Sequence, residues 1–224
     1  MISIVVPTLN EEARIAGTLR ALQSLTGKKE ILVADGGSED RTAAIAMSLG
    51  VKVLPCPRGR GAQIQAAAAQ ATGDPLWIVH ADTHPDSGAV EAIERALRNP
   101  DVAGGNFALV FEGDHYSARQ MTRIYPYLRW LGLSYGDAGI FVRRSVYDAI
   151  GGCKPYPLFE DLDLIRRMKR CGRFVHLEAL IYSSARRFSG KQYAKVWLIW
   201  ITLQILFWVG VSPARLSHWY RHVR

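Results

Sequence analysis

Three short stretches concentrate the side chains able to do chemistry. FEDLDL, residues 159–164, sets Glu160, Asp161 and Asp163 within four positions. One carboxylate of such a group could take a proton from an acceptor hydroxyl, while the same acids would also suit the first turn of a capped amphipathic helix. HADTHPD, residues 80–86, offers Asp82, an oxygen donor for a hard divalent cation beside phosphate. Its two histidines lie four apart across a segment containing Pro85 and lack the helical frame that makes an HExxH pair a metal site. His80 therefore stands as ligand, pocket wall or packing residue. ADGGSEDRT, residues 34–42, joins an acceptor, Asp35, to two glycines that permit a close or left-handed turn. It reads either as a ligand-reading strand end or as a tight turn with a helix cap.

The elements that must position these stretches alternate strand and helix. ISIVVP, EILVAD, VKVLPC and PLWIVHAD read as buried strands. Between them, TLNEEARIAGTLRALQSL, SEDRTAAIAMSLG and RGAQIQAAAAQATG read as a loop with a helix and two further helices, the second capped by Ser38 with Glu39 and Asp40 at its positive end. Such alternation predicts an α/β fold whose mostly parallel sheet is flanked by helices. Ligands in such sheets gather at the carboxyl ends of the strands, which is where Pro7 to Glu11, Asp35 to Ser38 and His80 to Asp82 fall. There is no GxGxxG opening the first helix and no GxxxxGK[ST], which weighs strongly against hydride-transfer and P-loop chemistry.

The 224 residues, 49% apolar and 21% charged, suffice for one well-buried core. A formal net charge of +8 is weighted to the second half, in RRMKRCGR from Arg166 and in a tail with Arg215, Arg221 and Arg224. It suits a phosphate-bearing substrate or an anionic surface; no zinc or RNA-binding motif accompanies it, so nucleic acid is not expected. Cys56, Cys153 and Cys171 form neither a metal cluster nor an even disulfide framework. MISIVVP enters a strand with no leader-like segment. A cytoplasmic protein is expected, peripheral on the inner face of the cell membrane if its C-terminal helix meets lipid.

Taken in order, IVVPTLNEEARI, VADGGSEDRT, HADTHPD, GDAGIFVRRSVYDAIGG and FEDLDL resemble a small bacterial family 2 glycosyltransferase of the GT-A fold, closest to the subgroup associated with arsenosugar biosynthesis. The resemblance covers roughly residues 2–188. It implies transfer of a sugar from a nucleoside diphosphate, UDP-linked as the leading choice, to an acceptor hydroxyl or phosphate by a single inverting displacement with Mn2+ or Mg2+. It also implies that Pro7, Thr8, Glu11, Asp35 and Gly37 line the donor nucleotide pocket. Ala81 and Asp82 become the end of a DxD-like motif whose first acid is replaced by His80, leaving Asp82 as the metal ligand. Arg58, Arg60, Arg186 and Arg187 are implied at the diphosphate. Asp161 is the implied base, Glu160 orients it or the acceptor, and Asp163 competes for either task. Asp137 and Gly139 would meet the acceptor and the sugar. The other reading of the same residues is a catalytically weak nucleotide-sugar-binding or membrane-associated interaction protein.

The expected architecture is one GT-A domain over residues 1–190, a donor half to about 110 and an acceptor half over 111–190, followed by an apolar helix and basic tail over 191–224. VWLIWITLQILFWVGV, residues 196–211, would extend about 24 Å as a helix, short of the roughly 30 Å hydrocarbon core. A membrane interface, a homo-oligomer interface and internal packing all suit it. YSARQMTRIYPYLRWLGLSYG, residues 116–136, mixes aromatics with arginines and suits an acceptor groove, for a small molecule or a lipid, or an ordinary amphipathic helix.

Overall fold

The computed structural model describes residues 1–114, 116–185 and 193–221, with only the backbone at 193–197 and 221. Strands β1 (Ile2–Thr8), β2 (Lys29–Asp35), β3 (Lys52–Pro55) and β4 (Leu76–Ile78) are linked by helices α1 (Ile15–Ser24), α2 (Thr42–Ser48) and α3 (Arg60–Gln70). The second half adds β5 (Thr83–Pro85), α4 (Ala89–Ala96), β6 (Val102–Glu112), α5 (Tyr116–Trp130), a 3-10 turn (Gly136–Ala138), β7 (Ile140–Val142), α6 (Arg144–Ala149), α7 (Glu160–Met168) and β8 (Arg173–Ser184). Helices α8 (Tyr193–Trp208) and α9 (Pro213–Arg221) follow.

All eight strands form one sheet, in the order β3-β2-β1-β4-β7-β6-β8-β5. The first four pair in parallel and β6 pairs in parallel with β8, whereas β7 is antiparallel to both its neighbours and β5 to β8. The sheet is thus mixed rather than continuously parallel. Both faces are covered, which explains the continuous apolar runs. Along β1, Ile2, Ile4 and Val6 point into the core shared with Ile15, Leu19 and Trp77, while Val5 packs on the opposite side against Ala67 of α3. Ile78, Ile140, Tyr147, Ile165 and Met168 join α3, α6 and α7 over that second side.

Two local expectations change. Helix α2 begins at Thr42, and Ser38 does not cap it. Ser38 instead gives its hydroxyl hydrogen to Asp35, and Asp40 accepts the Thr42 N–H at 2.9 Å. A carboxylate two residues ahead satisfies an otherwise orphaned N–H. The tail segment after Val211 forms helix α9, whose Leu216 is fully buried with Leu158, Phe159, Leu162 and Leu203. One side of α8 is therefore internal packing, while Leu198 and Ile205 on it and Val209 just after it are exposed. No helix among the described residues is long and apolar enough to cross a membrane.

Candidate active site

The parallel strands bring three of the polar stretches to one edge. Thr8 stands opposite Asp35 at the ends of β1 and β2. The Val5 to Ile78 pairing carries His80 to the level of Pro7. Buried Gln63 of α3 clamps the first two strand ends, its amide donating to the carbonyls of Thr8 and Ala34, both at 2.7 Å. A Cβ on Gly36 would stand 3.0 Å from that amide, so the first glycine of DGGS serves close approach and the second, Gly37 at φ 82°, serves the turn. Asp35 is 8% exposed. One oxygen accepts the N–H groups of Gly37 and Ser38 at 3.2 and 3.0 Å, and the other accepts the Ser38 hydroxyl.

Glu11 is half-buried, with its N–H on the Thr42 hydroxyl at 2.7 Å. Ala81 is buried, its carbonyl held by Thr18 at 2.8 Å, and Asp82 next to it is half-buried. Arg58 is exposed in the loop before α3. Arg186 and Arg187 lie outside the described residues.

Antiparallel β7 explains how the acceptor-side stretches reach the same edge. Ile140 opens β7 opposite Ile78, the last residue of β4, so the GDAG turn ahead of β7 lies where the parallel strands end. There His80 Nδ1 and Asp137 Oδ1 are 2.9 Å apart. Gly139 adopts φ 63°, with Ile181 2.7 Å and the Trp77 indole nitrogen 3.1 Å from where a Cβ would be. It is locked by packing on those neighbours. A Cβ on Gly136 would stand 3.0 Å from Asp161 and 3.1 Å from His80, so this glycine lets the two approach one turn of backbone from both sides.

Phe159, left-handed at φ 63°, starts α7 and turns the chain so that its ring packs on Trp200 and Phe207 of α8. The next two side chains then face inward. Glu160 is 2% exposed and ion-paired with Arg60 Nε of α3. Asp161 accepts the Gly136 N–H on Oδ2 and the Leu162 N–H on Oδ1, both at 2.8 Å. Burial and then the Glu160 charge push the Asp161 carboxyl above its ordinary range, against the pull of Arg60. Arg60 stays charged despite burial, because Glu160, Asp161 and Asp137 surround it. Asp163 points elsewhere, bonded by Arg167 at 2.6 Å and approached by Lys154 at 3.6 Å. Gly61 makes the crossing of α3 and the loop before α7 possible, since a Cβ there would sit 2.1 Å from the Lys154 carbonyl oxygen.

Asp137, Asp161 and Arg60 form the polar end of a cavity of about 320 Å³. Its walls come from β6, α5 and α8, including Leu109, Phe111, Met121, Leu128, Trp200 and Ile205. Sequence reasoning assembled most of the acids but missed three partners: the Gln63 clamp, the His80 to Asp137 pair and the Arg60 to Glu160 pair. Each joins residues 29 or more positions apart, and no local pattern announces such a partner.

The described residues hold no group of three or more side chains able to cage a metal ion. The carboxylate of Asp82 instead fits a hard cation that takes its other oxygens from a bound diphosphate.

The family model described as Glycosyl transferase family 2 matches residues 3–158. The chain is 24% identical over 225 residues to the probable glycosyltransferase YdaM of Bacillus subtilis (strain 168), covering 89% of this chain and 52% of that protein. It is 27% identical over 187 residues to an undecaprenyl-phosphate 4-deoxy-4-formamido-L-arabinose transferase of Pseudomonas paraeruginosa, covering 71% and 52%. It thus spans about half the length of these relatives. Among solved structures, a mannosyltransferase of Pyrobaculum calidifontis in complex with GDP-Man and Mn2+ superposes with a TM-score of 0.69 at 16% identity, over 92% of this chain and 61% of that one. Glucosyl-3-phosphoglycerate synthase of Mycobacterium tuberculosis, in complex with Mn2+, UDP and glucosyl-3-phosphoglycerate, gives 0.57 at 19% identity over 82% and 70%. The fold is the GT-A fold of these glycosyltransferases. Neither relative bears on the arsenosugar subgroup.

Proposed function

Because the chain belongs to glycosyl transferase family 2, we propose that it moves a sugar from a nucleoside diphosphate, UDP-linked, to an acceptor oxygen by one inverting displacement. The observation that supports this most is the position of Asp161. Its carboxylate closes the polar end of the cavity, one oxygen fixed by the Gly136 N–H, beside the strand ends where nucleotides bind in such sheets.

In this reading Pro7, Thr8, Glu11, Asp35 and Gly37 hold the nucleoside, with Ala81 and Asp82 next to the diphosphate and Arg58 reaching it from its loop. Asp161 takes the acceptor proton as the acceptor oxygen attacks the anomeric carbon, and its upward-shifted carboxyl makes it a stronger base than an ordinary aspartate. Arg60 holds Glu160 and draws the Asp161 carboxyl down, in place of the diphosphate role expected for it. Asp163 serves its ion pairs. Asp137 aligns His80 and faces the acceptor, while Gly139 keeps the wall thin next to the sugar. A bound Mn2+ or Mg2+ would offset the charge of the leaving diphosphate, with Asp82 and Asp137 as the residues to hold it.

The donor half is assigned to residues 1–110 and the acceptor half to 111–190, with α8 closing the acceptor side. The exposed apolar residues Leu198 of α8 and Val209 just after it are assigned to a lipid surface; sedimentation with liposomes checks it, and a dimer in ultracentrifugation without liposome binding would refute it.

Calorimetry with UDP, GDP and their sugars, with and without Mn2+, tests the donor reading. Selective binding in the presence of Mn2+, lost in Asp82→Asn, is expected. Asp161→Asn should keep that binding and lower transfer by about 10²–10⁴-fold. Unchanged cation dependence in the first variant, or normal transfer in the second, would remove that residue from its role.

A further inference from the structure

The cavity between α5 and α8 is larger and more apolar than proton transfer alone needs. Its volume of about 320 Å³ has room for on the order of ten water- or methylene-sized groups. Apart from the polar end, its walls are aliphatic, aromatic and thioether side chains: Leu109, Phe111, Met121, Leu128, Trp200 and Ile205. Such a lining orients a ligand by a few polar groups at one point and otherwise removes apolar surface from water.

Those polar groups converge. Tyr135, next to Gly136, donates its hydroxyl to Gln204 Oε1 at 2.9 Å. Gln204 is 6% exposed, and its amide nitrogen has no hydrogen-bond partner among the described residues. A buried donor left unpaired is costly, and Gln204 lines the cavity along with Tyr135, Asp137 and Asp161. An oxygen at this end of the cavity would accept from the Gln204 amide and give its proton to Asp161.

Charge decides which oxygen. Among the described residues, Asp137, Glu160 and Asp161 supply three carboxylates here, and Arg60 is the guanidinium that faces all three. That guanidinium is already committed to Glu160. A nucleoside-diphosphate sugar with one divalent cation adds about zero net charge, so among the described residues at this end of the cavity the three carboxylates still outnumber the one guanidinium. A phosphate or carboxylate on the acceptor would meet like charge there.

We propose that this cavity is the acceptor site and that its occupant is an uncharged amphiphile, an apolar chain or ring carrying one hydroxyl. The inference rests on the glycosyltransferase reading above. In the step, the hydroxyl oxygen forms the bond to the anomeric carbon, the bond from that carbon to the diphosphate oxygen breaks with its electron pair going to the diphosphate, and the hydroxyl proton goes to Asp161.

Trp200 and Trp208 line the cavity and provide the signal. The full chain, saturated with UDP and Mn2+, is titrated at low salt with geraniol, an aryl alcohol, geranyl phosphate and 3-phosphoglycerate while tryptophan emission is followed. One of the two alcohols should saturate, which separates chain from ring, with geranyl phosphate at least about 10-fold weaker and 3-phosphoglycerate silent. Ile205→Trp, which fills the cavity, should abolish the alcohol response, and Gln204→Leu should weaken it about 5- to 10-fold. Calorimetric UDP binding should be intact in both variants, which shows that they are folded. UDP binding with no response to either alcohol, or with geranyl phosphate binding as tightly as geraniol, would overturn the proposal and leave the donor reading standing. Alcohol binding without any UDP binding would overturn both, leaving a lipid cavity that is not an acceptor site.

Discussion

Replacing Arg60 by Met tests the electrostatic arrangement of the site directly. Glu160 is 2% exposed and Arg60 is its ion-pair partner, so the substitution strands a carboxylate in a place water barely reaches. Breaking a buried pair in this way costs about 3–5 kcal/mol, whereas exposed pairs are worth about 0–1 kcal/mol. For a chain of this size the larger figure corresponds to a decrease of roughly 6–20 °C in Tm. Arg41→Met is the internal control. Its partner Glu12 and Arg41 itself are 43% and 81% exposed, and its loss should move Tm by no more than a few degrees. The double replacement Arg60→Met with Glu160→Met removes both charges and should return stability to within about 1–2 kcal/mol of the native chain. Thermal and urea denaturation of the four proteins supply the measurement. A single-variant loss no greater than that of Arg41→Met, or a double variant as unstable as the single, would refute the claim that Arg60 acts by compensating Glu160. The kinetic consequence has a sign as well. Arg60 draws the Asp161 carboxyl down while Glu160 pushes it up, so in Arg60→Met the rising limb of transfer against pH should move to higher pH.

Gly61→Ala should destabilise by about 1–3 kcal/mol, because its methyl meets the Lys154 carbonyl oxygen at 2.1 Å; a neutral result in denaturation would mean that the loop before α7 yields freely. Lowering the pH from 6.5 should weaken the fold through His176, whose pKa is pushed down to about 4 by burial first and then by Arg129 and Lys169. The unfolded chain binds that proton more readily, so this contribution is complete above pH 6.5 and lost as pH falls through 4, by about 2–3 kcal/mol after allowance for partial exposure. His176→Gln should flatten that part of the Tm against pH curve, and an unchanged slope would assign the acid sensitivity to other groups.

The early strands were legible because a strand buried on both faces must be apolar at every position, and ISIVVP and EILVAD are. Their carboxyl ends then had to carry the polar residues, so Thr8, Asp35 and Asp82 fell on one edge before any geometry was known. The FED acids were legible as a group, but their separate fates were not. Glu160 is buried against Arg60, Asp161 faces the cavity and Asp163 turns to Arg167. Three neighbours on one helix turn point in different directions, and only the tertiary partner of each decides its chemistry. The antiparallel course of β7 was equally hidden, since IFV gives a strand but no direction.

That direction is what unites the site. A parallel β7 would carry the GDAG turn to the opposite edge of the sheet, away from His80 and from the strand ends. Run antiparallel, it delivers Asp137 to His80 and the Gly136 N–H to Asp161, so the sheet's reversal of direction at β4 and β7 does for the acceptor side what the parallel strands do for the donor side. The apolar wall then follows from length alone. Long β6 runs past the edge and supplies Leu109 and Phe111, and α8 returns over them with Trp200 and Ile205, so one carboxylate ends up between a polar cleft and an apolar chamber.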